Sequence, residues 1–204
     1  MKKKMGIGHK AKQKNKRTSN QSCLFKTSSQ HRFTHSGVLR NKRSGRGTRP
    51  LSTKEPLHLV FKVNREKLRQ QSLRSPQGFA LVSTIIKKYA GRFMVKIEQL
   101  SIQNNHIHAL IRTSRRSQYQ HFFRVVTGQI AQCFAKEGLL RVPVTGTRRL
   151  WQHRPFTRVV RGWKAYQTVR DYIQLNEKEA RGEIRYQKNR LRGLARADWE
   201  ILWS

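Results

Sequence analysis

Four side chains of this sequence have types and spacings suited to chemistry: His106, His108, Tyr172 and Asn176. The two histidines stand in the stretch NNHIHALI, residues 104–111. A β-strand repeats every two residues, so His106 and His108 point to one face, their Cβ atoms about 6.6 Å apart. Two imidazoles can close on one metal ion from there. Ile107, Ala109 and Ile111 point the other way, into a core. Read alone, a His-x-His pair is more often just polar positions on a half-buried strand. Tyr172 and Asn176 are four residues apart, so on a helix they share a face, with Cβ atoms roughly 5–6 Å apart. If that face lies over the histidines, two imidazole nitrogens and one amide oxygen meet, leaving coordination sites open for a substrate oxygen. Such a set, with no thiolate, suits Mg²⁺ or Mn²⁺ better than a structural zinc. Tyr172 then supplies a hydroxyl nucleophile one helical turn away. Tyr166, six residues earlier, lies about 240° further round and should face away from such a centre.

The elements that must position these groups can be read from periodicity. LHLVFKV (57–63) alternates and predicts a strand. In GFALVSTIIKKYAGR, Ala80 or Leu81, Ile85 and Tyr89 recur at helical spacing, with Gly91 placed to cap the end. FMVKIEQLSI (93–102) and HIHALIR (106–112), joined by an Asn-Asn turn, predict a hairpin. Residues 117–138 form an amphipathic helix with the stripe Phe122, Val126, Ile130, Phe134, ended by Gly138. PFTRVVR (155–161) is a fourth strand, and 166–182 a further helix. The order β-α-β-β-α-β-α predicts an α+β domain: a ferredoxin-like split βαβ antiparallel sheet with an extra C-terminal helix carrying Tyr172. One face of the sheet takes the first two helices. If Ile107, Ala109 and Ile111 meet those helices, the histidines lie on the open face, where the extra helix could cover them.

Composition sets the remaining bounds. Of 204 residues 36% are apolar, and the formal net charge is +35. So basic a chain attracts polyanions, nucleic acid first. No apolar run reaches the 18 or so residues that would cross a membrane, and the basic N-terminus is not followed by the apolar stretch of a signal peptide. Cys23 and Cys133 match no metal spacing and read as unpaired thiols in a reducing cytoplasm. Residues 1–54 contain no Asp or Glu and no sustained apolar period, so they are expected to be a disordered basic arm. Residues 55–185 are expected to be the folded domain, and 186–204 a basic extension, docked or in contact with DNA. Aromatics among arginines, namely Phe156, Trp163, Tyr166, Tyr186 and Trp199, are candidates for stacking on unpaired bases, although Phe156 and Tyr166 suit packing better.

Three blocks, HIHALI, LWQHRPFTRVVR (150–161) and VRDYIQLN (169–176), together resemble the single-tyrosine HUH transposases, most of all the REP-associated tyrosine transposases. The resemblance covers roughly residues 55–185. It implies DNA cleavage and strand transfer on single-stranded or hairpin DNA. Tyr172 would be the nucleophile, joined to a 5′ phosphate. His106, His108 and Asn176 would be the ligands of Mg²⁺ or Mn²⁺. It further implies a cytoplasmic, nucleoid-associated prokaryotic protein, a monomer or a homodimer. The alternative is a non-catalytic DNA- or RNA-binding protein, either a domesticated transposase or a ribosome-associated factor. The sequence departs from the family twice. Glu177 stands where proline often follows the third ligand, so the helix is expected to run on past Asn176. The residues before the histidines, Ile102-Gln103-Asn104-Asn105, lack the usual short acidic turn.

Overall fold

The computed structural model describes residues 33–36, 48–141 and 149–204. Five strands, β1 (Thr34–His35), β2 (Leu57–Lys62), β3 (Lys96–Ile102), β4 (His106–Arg112) and β5 (Phe156–Val159), form one antiparallel sheet in the order β1-β5-β2-β4-β3. The last four give the split βαβ arrangement, because β2 lies between β4 and β5 and pairs with both. Helices α1 (Pro76–Arg92) and α2 (Arg116–Lys136) connect the strands and cover one face. Leu57, Leu59 and Phe61 of β2 and Ile107, Ala109 and Ile111 of β4 enter that core, against Val82, Ile86, Phe122, Val126, Ile130 and Phe134. Both strands thus alternate as a half-covered antiparallel sheet requires. Helix α3 (Trp163–Arg181) lies on the other face, where Val169 and Ile173 pack on Leu110 and Val160. The α+β ferredoxin-like fold with an added C-terminal helix is therefore the architecture of the chain.

Several boundaries shift for local reasons. Helix α1 begins at Pro76, behind Ser75, whose hydroxyl accepts from the Gly78 N–H. It runs through Gly91 and stops at Phe93. Met94 then takes φ of 50°, so β3 starts at Lys96. Gly138 has φ of 66° and does close the turn after α2. Gly182, in the left-handed region with φ of 81°, caps α3, which runs five residues past Asn176 before ending at Arg181.

Two pieces of the arm expected over 1–54, residues 33–36 and 48–54, are among the described residues. Thr34 and His35 pair with Arg158 and Thr157 of β5, covering backbone groups that would otherwise form an open edge. Arg49 fastens this corner: it donates to the Pro155 carbonyl at 3.0 Å and to the Ser36 hydroxyl at 3.2 Å. Leu51 is part of the main core. The remainder of the arm, 1–32 and 37–47, lies outside the described residues. From the second resemblance block, the Trp151 ring lies tilted against Phe61, and its indole N–H donates to the Thr127 carbonyl at 2.9 Å, tying the segment before β5 to α2. At the other terminus, residues 183–204 double back. They include helix α4 (Arg196–Trp203), and Ile184 and Leu202 pack with Leu175 of α3.

Candidate active site

The site is assembled where α3 crosses the hairpin. Alternation along β4 turns His106 and His108 away from the main core, opposite Lys62 and Val60 of β2. Their rings meet edge to face with centroids 4.6 Å apart. Tyr172 comes down from α3 with its ring edge-on to His108, centroids 5.5 Å apart.

Asn176, one turn on, is buried. Its Nδ2 donates to the Tyr172 carbonyl at 2.6 Å, leaving Oδ1 as the uncommitted atom. Gln103 donates from Nε2 to both the Asn176 carbonyl and the Ser101 hydroxyl. Ser101 sits opposite His108 in the β3–β4 ladder. Asn176 is thus moored to the strand beside the histidines, while among the described residues no hydrogen bond joins it to either ring. Tyr166 is not turned away from the sheet: it packs against the same cluster of Leu110, Val160, Val169 and Ile173 as Tyr172, but nearer the start of α3. It stacks on Trp163 at 5.4 Å, and its phenol pKa is raised by burial and by the charge of Glu98.

Electrostatics keep the imidazoles neutral. Burial, with the positive charges of Lys62 and Arg190, lowers the pKa of His106. Burial pulls His108 down to about 2, with His58, His106 and Arg190 adding to the effect. Neutral rings retain the lone pairs a cation needs. His106 directs Nδ1 to the Asn105 side-chain oxygen at 2.7 Å. His108 directs Nδ1 to Nε2 of His58 at 3.1 Å, and its own buried Nε2 has no hydrogen-bond partner among the described residues. Among the described residues no three His, Cys, Asp or Glu side chains are grouped to hold a metal. Asn176 Oδ1, a neutral oxygen, is of the right chemistry to join two imidazoles on a hard cation.

Two neighbours were not singled out from the sequence. His58 was legible only as a position on a strand, in phase with Val60 and Lys62. Arg190 comes from the C-terminal segment, holds φ of 53°, ion-pairs with Glu179, and lies 5.7 Å over the Tyr172 ring and 4.7 Å over Tyr186. Nothing in its sequence setting, RYQKNRLRG, distinguishes it from the arginines around it. Of the stacking candidates, Trp163 and Tyr186 are exposed, Phe156 is half-buried, and Trp199 packs against the cluster of Leu175, Ile184 and Leu202.

The family described as Transposase IS200 like matches residues 53–176, from just before β2 to Asn176. The chain belongs to this family. Among solved structures, this transposase is similar to a REP-associated tyrosine transposase bound to a REP hairpin. Identity is 14%, the TM-score 0.52, and the match covers 69% of this chain and 76% of that one. It also matches a putative transposase from Deinococcus radiodurans R1 at 15% identity and a TM-score of 0.42, over 66% of this chain and 98% of that one. No curated protein matches. Among the described residues of the transposase no helix is long and apolar enough to cross a membrane.

Proposed function

We propose that this transposase cuts and rejoins single-stranded or hairpin DNA through a single tyrosine, Tyr172, with His106, His108 and Asn176 holding Mg²⁺ or Mn²⁺. The observation that carries the proposal is the meeting of Tyr172 with two neutral histidines on the sheet face under α3. The hairpin-bound state of the similar REP-associated tyrosine transposase supports the substrate class. Bound between the imidazoles and the amide, the cation would draw charge from a non-bridging oxygen of the scissile phosphate.

The protein's own groups do the rest. The Tyr172 oxygen attacks phosphorus and loses its proton. The bond to the 3′ oxygen breaks, and that oxygen takes up a proton to leave as a 3′ hydroxyl. A 5′ phosphotyrosine remains. Its ester keeps the bond energy of the phosphodiester, so an incoming 3′ hydroxyl can displace Tyr172 and rejoin a strand without ATP. The Arg190 guanidinium lies over the Tyr172 ring, 5.7 Å from its centroid, where it can face the charge that gathers on the phosphate under attack. The basic arm adds affinity for the backbone without sequence choice. The protein acts in the cytoplasm on the nucleoid, as a monomer or homodimer.

The test is to incubate the full chain with end-labelled single-stranded hairpin DNA and Mn²⁺, then resolve covalent adducts on a denaturing gel and map the linked peptide by mass spectrometry. A DNA-linked peptide containing Tyr172 is expected. Binding without any adduct would leave the non-catalytic DNA-binding alternative standing, and a link at Tyr166 would place the wrong face of α3 in the site.

A further inference from the structure

We infer that His58 is a positioning residue: it accepts the Nδ1 proton of His108 and so fixes the tautomer whose Nε2 lone pair faces the site. The inference rests on the metal-site reading above. The strand ladder creates the contact. In β2, His58 lies opposite Leu110, and Val60 lies opposite His108, so the two histidines occupy a diagonal of the same sheet face. Their rings stack at 5.3 Å with 22° between planes, bringing His58 Nε2 to 3.1 Å from His108 Nδ1.

A neutral imidazole has one N–H and one lone pair, so only one ring of the pair can donate across this contact. If His58 donated, the proton of His108 would sit on Nε2, a buried atom with no hydrogen-bond partner among the described residues. Burying an unsatisfied donor is costly, and orphaned buried N–H groups are rarer than under-satisfied acceptors. If His108 donates instead, Nε2 carries only a lone pair. His106 gives the same answer independently. Its Nδ1 lies against the Asn105 amide oxygen, which can only accept, so its Nε2 is again the bare nitrogen. Each candidate ligand is thus held by Nδ1 and offers Nε2, the second group being an amide in one case and His58 in the other. A ligand histidine whose outer partner is removed typically loses about 10–100-fold in metal affinity.

Two measurements on the full chain test this. Long-range ¹H–¹⁵N correlation spectra of the metal-free protein report the tautomer of each histidine. His108 should carry its proton on Nδ1, and a proton on Nε2 would overturn the assignment whatever the protein binds. Mn²⁺ affinity is then read by electron paramagnetic resonance for wild type, His58→Leu, His58→Gln and His108→Ala. Leucine should weaken binding about 10–100-fold, and glutamine, whose amide oxygen can accept from Nδ1, should restore most of it. Wild-type affinity in His58→Leu, with loss in His108→Ala, would sink the role of His58 alone. Unchanged affinity in His108→Ala would sink the metal site itself, leaving the spectra to decide the tautomer. If His58→Leu does not fold, the wild-type spectrum and the glutamine variant suffice.

Discussion

Glu177 follows the candidate ligand Asn176 directly, and its carboxylate is the clasp between α3 and the sheet. Arg74 reaches it with both Nη atoms at 3.2–3.3 Å and also donates to the Ile102 carbonyl at 2.7 Å; Arg181 adds a third contact at 3.0 Å. The Arg74 and Glu177 side chains are only 18% and 14% exposed. An exposed ion pair contributes about 0–1 kcal/mol, and breaking a fully buried one costs about 3–5 kcal/mol. This one lies between, nearer the middle because two nitrogens of one guanidinium share the carboxylate. Glu177→Gln keeps the shape and one acceptor oxygen, so we expect a loss of about 1.5 kcal/mol, with Arg74 holding part of its bond to the amide. At about 2–4 °C per kcal/mol for a folded unit of this size, Tm falls by about 3–6 °C. Urea unfolding of Glu177→Gln, Arg74→Met and the double variant gives the coupling, expected at about 1 kcal/mol. A loss and a coupling both below about 0.5 kcal/mol would show that the contact is a solvated pair and that α3 is held by its apolar stripe alone.

The other expectations follow from the same geometry. Tyr172→Phe removes a hydroxyl that makes no hydrogen bond among the described residues, so stability should stay within about 0.5 kcal/mol while the DNA adduct disappears; Tyr166→Phe should still form it, and the reverse pattern in a gel assay would reassign the nucleophile. His106→Ala and His108→Ala should abolish cleavage and leave hairpin binding, read by filter retention, largely intact; Asn176→Ala should be milder, since water can stand in for a neutral amide oxygen. At Gly78 an added Cβ would lie 2.7 Å from the Ser75 hydroxyl and 2.9 Å from the Leu73 carbonyl, so Gly78→Ala should destabilise by about 1–3 kcal/mol in thermal unfolding, and a stable variant would mean the turn before α1 yields easily. Removing residues 1–32, which spares β1, should weaken single-stranded DNA binding and flatten its salt slope by about 0.7 for each phosphate that the arm neutralises; an unchanged slope would show the arm does not touch the backbone.

Much of the site was legible because it depends on two simple periods. Alternation in HIHALIR gave both the face of the histidines and the core residues opposite, and the four-residue step from Tyr172 to Asn176 gave the shared helix face. What stayed hidden depends on neighbours distant in the chain. His58 acquires its partner only once β2 is known to lie beside β4, fifty positions away. Arg190 reaches Tyr172 only because Gly182 turns the chain back on itself. The two-residue strand at Thr34 is too short to show any alternation, and it is held as much by Arg49 as by its own residues. Tyr166, which the helical step of six residues turns away from the face of Tyr172, lies on the sheet side beside Trp163 and Glu98. It still touches the sheet-facing stripe at its far flank, because Val169 and Ile173 seat α3 broadly on the sheet.

The doubling back of the C-terminus has a mechanical consequence. On its sheet side α3 is seated through Val169 and Ile173, and on its outer side Leu175 is locked to Ile184 and Leu202, with Gln174 bonded to the Leu202 carbonyl and Arg190 to Glu179. The tyrosine is therefore mounted on a jaw rather than on a single rod. Any swing that lifts Tyr172 off the histidines must drag residues 183–204 with it or tear that outer seam. Because Arg190 belongs to the same jaw, the guanidinium would travel with the phenol, and the pair would leave or approach the sheet together.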